Sequence, residues 1–148
     1  MLTRDQAAFV ESEVAILVAS ADENLVCDVV RACGAMVDPD LTLVTLYVPD
    51  LASGRTIANA KQRPRLAAVF GNVLDYRTLQ IKGTCVGVRP ETSADRAVVQ
   101  KYRDALLATV EKAGRPRLAL RWGVLLPCTA IELRAEEAYG QMTGWGRG

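Results

Sequence analysis

Residues 41 to 64 read LTLVTLYVPDLASGRTIANAKQRP. Leu41 to Val48 is a β-branched, alternating run, the pattern of a strand. Ser53 then stands where a helix N-cap belongs, and Gly54 to Arg63 follows as a helix that Pro64 stops. The first turn of a helix leaves backbone N–H groups without partners, and its dipole favours negative charge. Gly54 lets a ligand approach the backbone closely. Arg55 adds a cation that grips phosphate through two oxygens, and Ser53 and Thr56 add hydroxyl donors. The stretch holds every ingredient of a phosphate cradle, and equally those of an ordinary capped helix.

Working toward the N-terminus, Asp38, Pro39 and Asp40 form a turn, preceded by LVCDVVRAC (Leu25 to Cys33). That segment pairs as a hairpin with VAILVAS (Val14 to Ser20), read as a strand buried on both faces, across a turn at Asp22, Glu23 and Asn24. A first helix spans Arg4 to Ser12, with Thr3 and Gln6 at capping-box spacing. Working toward the C-terminus, RLAAVFG (Arg65 to Gly71) and TLQIKGTCVGV (Thr78 to Val88) are two more strands. Thr92 and Asp95 open the longest helix, which runs through Val98, Tyr102, Ala105, Leu106 and Val110 and ends at Gly114. TAIELRA (Thr129 to Ala135) is the last strand, before a glycine-rich tail. Six strands joined mainly by tight turns imply one domain over residues 1–148, a mostly antiparallel α+β barrel with helices outside it.

Two further features point to a ligand. Arg31 lies near the end of an otherwise apolar strand, a poor place for an unpaired guanidinium. In RTLQIKG (Arg77 to Gly83), alternation places Thr78, Gln80 and Lys82 on one face and Leu79 and Ile81 on the other. A polar strand face in so apolar a chain must meet water, a partner or a ligand.

Composition narrows the chemistry. Among 148 residues there are 18 Lys and Arg against 17 Asp and Glu, so no charge field attracts nucleic acid or an anionic membrane. No apolar run approaches the roughly 20 residues that cross a bilayer, and the N-terminus carries no signal-peptide segment, so a cytoplasmic location is expected. The four cysteines form no C-x-x-C pair and are expected as reduced, buried thiols. Histidine is absent, which removes Ser-His-Asp and Cys-His catalysis, His-ligated zinc and the usual ligand of haem iron. Difficult chemistry here needs a borrowed cofactor.

From about Val14 to Tyr139, this order of elements resembles the FMN-binding split barrels of the pyridoxamine 5′-phosphate oxidase-like superfamily. The oxidases' Ser-Arg-Lys helix start falls on Ser53, Gly54 and Arg55, and their Asn-Pro on Arg63 and Pro64. Their Arg-Gln-Val strand entry and following glycine fall on Arg77, Thr78, Leu79 and Gly83, and a cofactor-strand arginine on Arg31. The departures are Gly54 for a phosphate-binding arginine, Thr78 for a flavin-contacting glutamine (Gln80 lies two residues on), and no histidine-containing substrate segment.

The resemblance implies a six-stranded antiparallel split barrel, a homodimer with flavin sites at its interface, and flavin-dependent oxidoreduction of an unidentified small molecule. It does not imply the oxidase reaction. It puts the FMN phosphate on Ser53, Gly54, Arg55 and Thr56, with Arg31 as a second cation. The ring would lie near Ala32, Cys33 and Tyr47, with Thr78 and Gln80 at its polar edge. Tyr47, Phe70 and the apolar side of residues 78–88 would line the dimer interface. No residue stands out as a catalytic acid or base, and no metal site is expected. The alternatives are a deazaflavin (F420) reductase, a haem-binding split barrel, and a cofactor-free stress or interaction protein of this fold.

Overall fold

The computed structural model describes residues 1–115 and 127–140; the tail over residues 141–148 lies outside the described residues. The elements are α1 (Arg4–Val10), β1 (Ala15–Ala21), β2 (Cys27–Ala32), β3 (Ala35–Val37), β4 (Leu43–Pro49), α2 (Gly54–Gln62), β5 (Arg65–Gly71), β6 (Thr78–Pro90), α3 (Ser93–Lys112) and β7 (Cys128–Gly140). Among the described residues seven strands, not six, form one antiparallel sheet in the order β2-β1-β5-β6-β7-β4-β3. The sheet is open and does not close into a barrel.

The additional strand follows from one local irregularity. Cys33 N–H donates to the Tyr47 carbonyl, and Tyr47 N–H donates to the Gly34 carbonyl. Two residues thus oppose one, the hydrogen-bond signature of a β-bulge. The chain leaves β2 at one edge of the sheet, passes this bulge, and pairs with β4 at the other edge as β3. The two sides of the sheet meet around Gly34, whose φ of +141° is one that L side chains rarely adopt.

Within the curled sheet, alternate residues make the core. Ile16 and Val18 of β1, Ala68 and Phe70 of β5, Leu79 and Ile81 of β6, and Ile131 and Leu133 of β7 are fully buried together. β1 is not buried on both faces as its apolar sequence suggests: Leu17 is half exposed, and Ala15, Ala19 and Ala21 are partly so. The doubly covered strand is instead β4, buried on both faces from Leu46 to Pro49. The core lies on one side of it and α3 on the other. Close strand packing also explains Gly83, where a Cβ would sit 1.9 Å from the Arg134 carbonyl oxygen.

The capping box predicted at Thr3–Gln6 forms, and Thr92 and Asp95, predicted to open α3, make a second one. Asp95 does more than cap. It accepts from Tyr47 Oη at 2.8 Å and from Arg89 Nη1 at 2.5 Å, anchoring the start of α3 to β4 and β6. Tyr102, farther along α3, donates to the Val14 carbonyl. Among the described residues, no helix is long and apolar enough to cross a membrane.

Candidate functional site

α2 forms where the sequence predicts a helix, but Ser53 and Thr56 at its start depart from expectation. Ser53 occupies the N-cap position, but its φ and ψ of −106° and 6° are not those of a capping residue, and its side chain makes no cap bond. Its Oγ is buried without a hydrogen-bond partner among the described residues. A hidden, unsatisfied hydroxyl costs about 1–3 kcal/mol. Gly54 and Arg55, beside it, are exposed, and nothing lies within 4 Å of where a Gly54 Cβ would stand. The backbone there is open to a ligand.

Thr56 is buried and committed elsewhere: its hydroxyl donates to Asp28 Oδ2 at 3.0 Å. The Asp28 carboxylate therefore stands beside the positive end of α2, where an anion is favoured. Asn59 pins the next turn through Ser20 Oγ at 3.1 Å. These two contacts hold α2 against β1 and β2.

The remaining predicted residues separate into two groups. Ala32 is fully buried in the main core. Cys33 and Tyr47 pack in a second cluster with Val99, Cys128 and Ala130, under α3. Tyr47 is 1% exposed and its hydroxyl is spent on Asp95; burial first, then that bond, raises its pKa well above the ordinary phenol value. The Cys33 thiol is lowered, chiefly by its hydrogen bond with Cys128 and secondarily by Arg31, against the opposing effect of burial. None of these three side chains offers a surface to a ring. Likewise Phe70, Leu79 and Ile81 are fully buried and cannot form an interface. Of the cysteines, all of them free, Cys27 is exposed rather than buried.

The second group does lie together, on the outer face of the sheet. Cross-strand register places Arg31 opposite Leu17, Leu17 opposite Val69, Val69 opposite Gln80, and Gln80 opposite Tyr139. Thr78 stands one step along, opposite Gly71. Arg31 is half-buried and engaged with its surroundings. Arg77 is not part of this row; it pairs with Asp75 at 2.9 Å and lies over the Phe9 ring. Leu17, Val29 and Val69, which make the floor, were not identified from sequence. The available signal was the alternation within AILVASA, hidden because its outward alanines count as apolar.

No protein-family model matches the chain, and a search of curated proteins finds none similar to it. Solved structures do match. An F420 reductase superposes with a TM-score of 0.63 at 14% identity, covering 93% of this chain and 98% of that one. A putative pyridoxamine 5′-phosphate oxidase from Lactobacillus delbrueckii gives 0.57 at 16%, covering 93% of each. An FMN-binding protein from Syntrophomonas wolfei gives 0.57 at 7%, covering 94% and 88%. HutZ, a haem storage protein from Vibrio cholerae, gives 0.51 at 11%, covering 93% of each. At these identities the likeness is one of fold alone, shared with a putative pyridoxamine 5′-phosphate oxidase and with flavin- and haem-related proteins.

Proposed function

We propose that the chain binds FMN and acts as a flavin-dependent oxidoreductase on a small molecule, as a homodimer. The observation that carries this reading is the start of α2: an open glycine and an exposed arginine beside a buried Ser53 hydroxyl with no partner among the described residues. The Ser53 side chain can turn toward a phosphate without breaking a hydrogen bond to any of the described residues. Arg55 would grip the phosphate, the N–H groups of the first turn would receive it, and Thr56 would turn from Asp28 to join them.

The row from Arg31 to Gln80 spans three strand spacings, about 14 Å. That is room for a three-ring system lying on Leu17 and Val69. Arg31 would flank it on one side, with Thr78 and Gln80 at the other, from the same or the partner subunit. Bound there, FMN supplies hydride or electron transfer; the chain supplies position and a dry surface. No side chain on this face is assigned as a catalytic acid or base.

Exposed apolar side chains support the homodimer. Leu17, Leu25, Val26, Val29, Leu74, Tyr76 and Tyr139 are all 40% exposed or more, and all lie on this face or on the turns at its ends. Such a patch marks an interaction surface.

Asp28 favours a second reading, in which the fold is kept without a cofactor, because its carboxylate already occupies the favourable end of α2. One experiment separates the readings. The visible spectrum of the purified protein, with mass spectrometry of what it releases on denaturation, should show FMN. Release of F420 or haem would replace the proposal. A colourless protein that takes up no FMN would support the cofactor-free reading.

A further inference from the structure

We infer that a separate cleft at one end of the outer sheet face binds a small organic anion with an apolar body. The cleft has a volume of about 280 Å³, near the lower end for small-molecule sites. Its floor is made by Ala19 and Ala67, whose small side chains leave a depression in the sheet, and Leu25 forms an apolar wall. Three cations converge on it from three elements: Arg63 at the C-cap of α2, Arg65 at the start of β5, and Lys82 within β6.

Their partners leave charge to spare. Arg65 is tied to Glu136, with Glu137 at 3.9 Å. Lys82 is in no ion pair among the described residues; its Nζ lies 5.5 Å from the Tyr139 ring, and Glu137 stands opposite it in the β6–β7 register. The Arg63 guanidinium has no ion-pair partner among the described residues. Three cations against the two carboxylates of Glu136 and Glu137, over an apolar floor, suit a ligand with a carboxylate or phosphate at one end and a hydrocarbon body at the other. Register sets Lys82 opposite Ala67, and Ala67 opposite Ala19, in the row next to Leu17, Val69 and Gln80. The cleft lies on the same face as the proposed ring site but shares no residue with the α2 cradle. The inference therefore stands whether or not FMN binds.

The test is titration of the purified protein with benzoate and with its uncharged counterpart benzyl alcohol, followed by ligand-observed NMR. Benzoate should bind at least tenfold more tightly than the alcohol. Arg63→Ala and Lys82→Ala should each weaken benzoate about tenfold, the loss expected for one charge-assisted contact. Lys82→Arg should retain binding, and thermal unfolding should show all the variants folded. Arg55→Ala, at the opposite end of α2, should bind benzoate like the wild type. Equal binding of benzoate and the alcohol would overturn the inference. So would unchanged affinity in both alanine variants, or loss of affinity only in Arg55→Ala.

Discussion

Ser53 and Arg55 separate a phosphate cradle from a plain helix start, because the two readings predict opposite effects on stability and binding. A capping serine replaced by alanine costs about 1 kcal/mol. Ser53 makes no cap bond and hides an unsatisfied hydroxyl. Ser53→Ala should therefore leave the stability of the apo protein unchanged or slightly raised in urea unfolding, yet weaken FMN binding. Arg55→Ala should lose a charge-assisted contact of about 1.5–3 kcal/mol, weakening FMN roughly ten- to a hundred-fold. Asp28 acts in the other sense. Its carboxylate competes with phosphate for the start of α2, so Asp28→Asn should tighten FMN binding severalfold in a fluorescence titration. An unchanged or weaker affinity would show that Asp28 is no competitor. The serine, glycine, arginine and threonine were legible in sequence as a group. Asp28 was not, since it lies far from them in the chain and reaches Thr56 only through packing of α2 on β2.

At the scale of elements, α3 depends on a polar anchor that pH can loosen. The Asp95 carboxyl is held well below the usual carboxylate range, first by Arg89 and then by the N-cap and Tyr47 hydrogen bonds, against the effect of burial. A carboxyl held down in the folded state takes up a proton more readily when unfolded. Its contribution is thus complete above about pH 4, where an unfolded aspartate is ionised, and is lost as pH falls toward the folded-state value. Asp95→Asn should destabilise the protein at neutral pH, and its unfolding midpoint should fall less than the wild type's between about pH 5 and pH 3. Equal acid sensitivity would place the titrating group elsewhere. The helix itself was readable from Thr92, Asp95 and the terminal glycine, since caps are local chemistry. The 78–88 alternation was readable too, because a strand with one wet face repeats every two residues. β3 was not: three residues carry no period, and the strand exists only because a bulge redirects β2 onto β4. β7 runs to Gly140 through Glu136 and Glu137, a length set by pairing with β6 rather than by its own polar sequence.

For the whole molecule, the described residues leave an apolar patch around Leu17 exposed on the outer sheet face, and the homodimer proposal needs a second copy of the chain to cover it. Light scattering at micromolar concentration should give the dimer mass, with an interface burying about 2,000 Å² or more. Leu17→Glu, which puts a charge in the middle of that face, should yield monomer; a dimer that survives it would place the interface elsewhere. Sequence located this surface wrongly, on Tyr47, Phe70 and the apolar side of β6, because apolar residues inside a core and on an interface look alike until the fold assigns their faces. The antiparallel architecture was legible from the order of its elements, and the strand count was not. The most direct test of the central claim is a parallel titration of the apo protein with FMN and riboflavin, which differ only in the phosphate. A phosphate seated on the first turn of α2 predicts that FMN binds at least tenfold more tightly than riboflavin. Equal affinities, or no binding of either, would contradict it.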